Sequence, residues 1–84
     1  MPEIARFYGL IIKMYFTQSE HNPPHIHVIY GDYTGSIDIN KLVLIEGDLP
    51  NKALSMALEW TKENQTELQK MWDSQKIEKL APLE

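Results

Sequence analysis

The stretch His25-Ile26-His27-Val28-Ile29-Tyr30-Gly31-Asp32-Tyr33-Thr34-Gly35-Ser36-Ile37-Asp38 decides the fold, because it has the pattern of a β-hairpin. Gly31-Asp32 is a two-residue turn with glycine at the first central position, as a type II′ turn requires. Counting outward from this turn places His25 opposite Asp38. Successive side chains of a strand point to opposite faces, so this register predicts one apolar face and one face that carries imidazoles.

The two faces of this hairpin have different predicted roles. The apolar face is expected to join the core and is formed by Ile26, Val28, Ile37 and Ile39. The other face is expected to carry the polar groups His25, His27, Ser36 and Asp38.

Further strands extend the hairpin into a sheet. Residues 4–8 and 10–16 are rich in aromatic and β-branched residues and flank Gly9, which predicts a second hairpin with its turn at Tyr8-Gly9. That turn places Arg6 beside Lys13. Residues 42–46 are expected to return along the fourth strand as an edge strand, so the sequence predicts an antiparallel meander of about five strands.

The carboxy-terminal half predicts a long helix. Apolar residues recur at three- and four-residue spacing from residue 51 to about residue 75, and Pro50 occupies the position of the first helical residue. Asn64 and Glu67 have the spacing of a capping box that could divide this segment, but we expect one helix with a kink near Asn64. Its apolar stripe is expected to cover the apolar sheet face and leave the histidine face open; it contains Trp60, Leu68 and Trp72.

These elements together predict an α+β fold formed by a single domain, residues 1–84, with a loosely held tail after residue 75. The net charge of −4 offers no broad positive field for nonspecific phosphate binding. The absence of cysteine excludes disulfides and thiolate zinc sites. No apolar run approaches the roughly 20 residues of a membrane span, and the amino terminus is unlike a signal peptide. We therefore expect a cytoplasmic protein that does not enter a membrane.

All three histidines lie in the segment His21-Asn22-Pro23-Pro24-His25-Ile26-His27, and this concentration predicts a site. The two prolines restrict the backbone and would hold His21 at a limited distance from the other imidazoles. One interpretation is a metal site for zinc or another divalent transition metal, with His21, His25 and His27 as ligands. Asp38 could take the place of His21 in that set.

A second interpretation is metal-free acid/base catalysis on the open sheet face. Asp38 opposite His25 would fix the imidazole tautomer, and Arg6 beside Lys13 could neutralise a phosphate. This arrangement would suit the cleavage of RNA. The expected catalytic set is His25, His27, Arg6, Tyr15 and Asp38.

A third interpretation is structural. Histidines beside prolines often satisfy loop carbonyl groups, and an exposed His/Asp cross-strand pair contributes only a fraction of a kcal/mol. The residues alone leave these three interpretations open.

Several short segments along the chain carry a family resemblance. They are Glu3-Ile4-Ala5-Arg6-Phe7-Tyr8-Gly9, Met14-Tyr15-Phe16, His21-Asn22-Pro23-Pro24-His25-Ile26-His27-Val28, Tyr30-Gly31, Leu49-Pro50 and Glu59-Trp60. With them the chain resembles, from Pro2 to Leu83, a bacterial family catalogued as a domain of unknown function, the four-thousand-one-hundred-and-sixtieth in that series.

The resemblance implies a component of a toxin–antitoxin-like gene pair, and it brings no established catalytic mechanism for the histidines. We therefore expect an interaction protein whose small protein partner, encoded nearby, covers the open sheet edge or the exposed helix end. The alternative is a histidine-dependent hydrolase that acts on RNA, with or without a metal. An open edge strand also makes a homodimer plausible, because its unpaired backbone groups can accept another strand.

Overall fold

The computed structural model describes residues 3–15 and 23–83. Its elements follow in the order β1 (Glu3–Phe7), β2 (Leu10–Lys13), β3 (His25–Tyr30), β4 (Tyr33–Asp38), β5 (Leu44–Gly47), α1 (Asn51–Glu63) and α2 (Gln65–Ser74). The five strands form one antiparallel sheet in chain order, followed by the two helices. The predicted α+β meander is therefore confirmed. Neither helix in the described part of the chain has the length and apolar character needed to cross a bilayer.

The central hairpin has the predicted register. His25 lies opposite Asp38, and His27 lies opposite Ser36. Gly31 has a φ of 59°, which glycine adopts without the steric cost that a Cβ would bring. The turn chemistry of Gly31-Asp32 and the alternation of side chains were therefore sufficient to predict which residues face each other.

The first hairpin differs from its prediction in one respect. Tyr8 and Gly9 both have positive φ, 48° and 82°, as a type I′ turn requires. Arg6 lies opposite Ile11, however, and Lys13 lies opposite Glu3 after a shift in register between Glu3 and residue 5. The prediction that Arg6 lies beside Lys13 is wrong, because the turn pairs Phe7 with Leu10 and therefore Arg6 with Ile11. β2 ends at residue 13, and Phe16, the predicted last residue of this strand, lies outside the described residues.

The core lies between one sheet face and the helices. The four side chains predicted to form the apolar hairpin face, Ile26, Val28, Ile37 and Ile39, are all fully buried. Trp60 and Leu68 are fully buried as well, and the Trp60 ring lies 5.9 Å from the ring of Phe7. Each fully buried side chain of this size contributes about 1.5–3 kcal/mol, so this one-sided contact dominates the stability of the fold.

Two helices replace the single helix that we expected. α1 ends at Glu63, and Asn64, with a φ of −118°, separates it from α2. The side-chain amide of Asn64 donates to the Trp60 carbonyl oxygen at 2.8 Å, and no side-chain cap is present at the start of α2. The position of the break was predicted, but a capping box does not cause it. Pro50 precedes α1 as its N-cap instead of forming its first residue.

The carboxy-terminal tail is hydrogen-bonded to the outer edge of β1 at one residue. The Leu80 N–H donates to the Ile4 carbonyl oxygen at 3.0 Å, and the Trp60 indole N–H donates to the Ala81 carbonyl oxygen at 2.8 Å. Leu83 is buried. The prediction of a loosely held tail is therefore wrong, because a core tryptophan and an edge-strand carbonyl both hold it.

The outer edge of β5 lies at the opposite end of the sheet. No described segment pairs with it, and the neighbouring side chains Val43 and Ile45 are 46% and 43% exposed. The strand begins two residues later than predicted, because Leu42 has a φ of 55° and its N–H closes a turn onto the Asp38 carbonyl oxygen. β5 is thus a short edge strand with exposed apolar side chains.

Candidate functional site

Four aromatic rings form a continuous row across the sheet face that carries the histidines. The ring centroids are 4.6 Å apart for Tyr15 and His27, 5.0 Å apart for His27 and His25, and 5.1 Å apart for His25 and Trp72. We call these four residues the aromatic row. Strand alternation places the two imidazoles on one side, as predicted, and the flanking rings come from the segment after β2 and from α2.

His25 is held inside the fold. The Trp72 ring contacts the His25 ring, and His25 is only 6% exposed. The His25 Nδ1 atom lies 2.8 Å from the Pro23 carbonyl oxygen, which can only accept, so Nδ1 donates and Nε2 is left without a proton in the neutral ring. The prediction that the helix leaves the whole histidine face open is wrong at this end, because α2 brings Trp72 over His25.

Asp38 stabilises a turn instead of orienting an imidazole. Its Oδ1 atom accepts from the backbone N–H groups of Asn40 and Lys41, at 2.8 and 2.9 Å. The carboxylate forms no hydrogen bond with the His25 ring, although the two residues lie opposite each other. The expectation that Asp38 fixes the His25 tautomer is therefore wrong, and the Pro23 carbonyl has that role.

Arg6 lies on the edge strand β1 and is engaged by Glu3. The Arg6 Nη2 atom is 2.7 Å from Glu3 Oε1, and the Arg6 side chain is 64% exposed. The hydrogen bond from Arg6 lowers the pKa of Glu3, and the same bond raises the pKa of Arg6. The structure brings His25, His27 and Tyr15 together but leaves Arg6 and Asp38 in other local interactions.

His27 is the more accessible of the two described imidazoles. It is half-buried, and its Nδ1 atom lies 3.4 Å from the Ser36 hydroxyl oxygen. Burial lowers the pKa of His27, the nearby His25 lowers that pKa further, and Glu46 opposes the shift. The lowered pKa favours the neutral His27 ring, and a neutral imidazole can accept a proton or donate from one nitrogen.

A pocket of about 330 Å³ opens beside His27 and reaches the edge strand β5. The groups that line it include an aromatic ring, hydroxyls and a carboxylate: Tyr15, His27, Thr34, Ser36, Glu46 and Gly47. We call this cavity the β5 pocket. Sequence analysis missed Glu46 and Thr34. The pairing of Ser36 with Glu46 would have indicated the former, had the hairpin count been continued across the irregular β4–β5 register.

The metal interpretation stays a prediction. Within residues 3–15 and 23–83, no three histidine, aspartate or glutamate side chains are grouped so that they could hold a metal ion. His21, the third predicted ligand, lies outside the described residues. What the structure adds is that His25 and His27 lie side by side, with Nδ1 of His25 committed to the Pro23 carbonyl.

The fold and the site define a small α+β domain in which two helices pack on one face of a five-stranded meander, while Tyr15, His27 and His25 lie on the other face and Trp72 of α2 contacts His25. The protein family described as "Domain of unknown function (DUF4160)" matches residues 9–73. The chain belongs to that family. Neither the curated proteins nor the solved structures contain a match to this chain.

Proposed function

We propose that this protein is the binding component of a toxin–antitoxin-like pair in the cytoplasm and that its partner adds a β-strand to the outer edge of β5. The observation that carries this proposal is the difference between the two edges of the sheet. The tail is hydrogen-bonded to β1 at Ile4, whereas β5 ends the sheet with Val43 and Ile45 exposed.

An edge strand recognises another strand through its backbone groups and alternate side chains. The unpaired N–H and C=O groups supply affinity that depends little on sequence, and the flanking side chains supply specificity. β5 is four residues long, carries the charge of Glu46 and has an irregular register with β4. Such features discourage indiscriminate strand pairing, so a bound strand must match this edge closely.

The partner that we propose is the small protein encoded beside this chain. The family resemblance implies such a gene pair, and family membership supports the choice. A second copy of this chain could use the same edge, so a homodimer is an alternative outcome of the experiment below.

The test is co-purification of the chain with the product of the neighbouring gene. Ile45→Lys should reduce complex formation at least tenfold, because it places a charge in the apolar contact beside the new strand. Tyr8→Lys is the matched control, since Tyr8 is 61% exposed on the turn between β1 and β2. The β5 interface would be refuted if both variants lost binding equally or if neither lost it. If the chain self-associates and Ile45→Lys removes that association, the edge forms a homodimer.

Hydrolysis of RNA is the second candidate function. It is favoured by the proximity of Tyr15 and His27 beside an open pocket, because a neutral imidazole can act as a general base. The charge of Glu46 opposes it, since a carboxylate in the β5 pocket repels a phosphodiester. Arg6, the predicted phosphate ligand, is already paired with Glu3. We therefore place this function below partner binding.

Expression in cells that lack the neighbouring gene tests the hydrolase. Growth arrest and RNA cleavage by the wild type, both lost in His27→Ala, would support catalysis. His25→Ala should not mimic His27→Ala unless it unfolds the chain, because His25 is held by Trp72 and Pro23. Equal growth of cells that express the wild type and cells that express His27→Ala would rule out the hydrolase function.

A further inference from the structure

The β5 pocket has a chemistry that the proposed strand pairing does not use. It lies where the open sheet face meets the edge strand, so a side chain from a bound strand can enter it. Glu46 and Gly47 of β5 form one side, and Tyr15 and His27 lie among the other lining residues. The pocket therefore offers a second possible contact point next to the same edge.

The polar groups in the β5 pocket are suited to a cation. Glu46 provides a carboxylate, and Thr34 and Ser36 provide hydroxyl groups that can accept hydrogen bonds. Tyr15 provides an aromatic ring that can attract a cation to its face. An anion would meet the Glu46 carboxylate, which excludes phosphate and carboxylate groups as preferred ligands.

The cationic side chains that the structure describes leave Glu46 available. Arg6 pairs with Glu3, and Lys13, although opposite His27 in the sheet, also acts electrostatically on Glu3. Glu46 forms no ion pair with any described residue, and it is exposed. Burial lowers the pKa of His27, which disfavours a competing positive charge on the imidazole.

We propose that the β5 pocket binds the guanidinium group of an arginine side chain carried by the strand that pairs with β5. The identity of the carrier rests on the proposed function, whereas the recognition of guanidinium rests on the pocket itself. Arginine fits better than lysine because its planar group can stack on Tyr15 while its N–H groups donate to Glu46 and to a hydroxyl. The volume of about 330 Å³ is at the small end of ligand pockets and suits one side-chain end group.

The experiment is an NMR titration of the free chain with N-acetyl-arginine amide and, separately, with N-acetyl-citrulline amide. Citrulline has nearly the same shape without the charge. The arginine amide should produce saturable shifts at the backbone amides of Thr34, Ser36 and Glu46, and the citrulline amide should bind at least tenfold more weakly. Equal binding of the two amides, or shifts elsewhere on the surface, would overturn the proposal.

Glu46→Gln tests the role of the carboxylate. Because Glu46 is exposed, the substitution should leave the fold intact, and it should weaken binding of the arginine amide about tenfold or more, as loss of a charge-assisted hydrogen bond does. Glu59→Gln on the exposed surface of α1 is the matched control and should change nothing. Unchanged binding in Glu46→Gln would overturn the proposal.

The two proposals fail separately. If Ile45→Lys abolishes partner binding while the arginine amide does not bind, the pocket proposal fails and the strand interface stands. If the arginine amide binds through Glu46 while Ile45→Lys leaves the partner complex intact, the pocket stands and the strand interface fails.

Discussion

The two edges of the sheet show how one small fold can protect one strand and leave another available. At β1, the tail places the Leu80 N–H on the Ile4 carbonyl, and Trp60 anchors the tail from within the core. At β5, the last strand is short and no described segment lies along it. Protection of β1 against strand pairing depends on tertiary contacts from residues distant in sequence. At β5, only the short length of the strand and the charge of Glu46 limit pairing with another strand.

Removal of the tail should have the largest effect. A chain that ends after Lys79 loses the burial of Leu83 and two hydrogen bonds, which should cost about 2–4 kcal/mol of the free energy of unfolding. It also exposes the β1 edge, so the chain should self-associate. Urea unfolding and sedimentation measure the two effects.

Trp60→Phe separates destabilisation from exposure of the β1 edge. It keeps the tail but loses the hydrogen bond to Ala81 and leaves a cavity in the core, because Trp60 is fully buried. It should therefore destabilise the chain but leave it monomeric at β1. A truncated chain that is as stable as the wild type would contradict the account of the tail.

Gly47→Ala should have the next largest effect, because it disturbs the open edge. Gly47 has a φ of 86°, and an added Cβ would contact the Thr34 carbonyl oxygen and lie 2.7 Å from Gly35 Cα. The strain should cost about 1–3 kcal/mol and loosen β5 from β4, with loss of partner binding.

Gly31→Ala is the matched control for Gly47→Ala. Gly31 also has positive φ, 59°, but no atom beyond its chain neighbours lies within 4 Å of its added Cβ. It should be less destabilising and should keep partner binding. Equal loss of binding in both alanine variants would show that general destabilisation, and not the geometry of β5, is responsible.

The smallest expected effect concerns pH and His27. Its pKa is lowered in the folded chain by burial, so the unfolded chain binds the proton more readily. The stability that neutral His27 contributes is therefore fully present above pH 6.5, the ordinary pKa of histidine. It is lost as the pH falls through the lowered pKa of the folded chain. Urea unfolding at pH 7.5 and pH 5 should show that the wild type loses more stability than His27→Gln. A greater loss in the variant would contradict this sign.

Local patterns predicted much of the sheet. Strand alternation and the Gly31-Asp32 turn predicted that His25 faces Asp38 and that Ile26 is core, because register leaves these side chains no other face. The site was less predictable. Hydrogen bonds at the end of β4 direct the Asp38 carboxylate to its own turn, and such competition is not visible in a strand pattern.

Tertiary contacts explain the remaining differences. Trp72 packs against the core, as its place in the apolar stripe predicted, but the spacing gave no sign that its ring also contacts His25. The tail has no strong periodicity, so its attachment through Trp60 could not be inferred from spacing. Glu46 was assigned to an edge strand without a partner residue, and only the β4–β5 pairing with Ser36 places it beside His27.

Amide hydrogen exchange of the chain with and without the neighbouring protein tests the central claim most directly. In the free chain, the Leu80 amide should be protected by Ile4, and the outward amides of β5 should exchange rapidly. On complex formation, the account predicts that the β5 amides become protected while protection at Leu80 and β1 is unchanged. New protection at β1 with no change at β5 would contradict it.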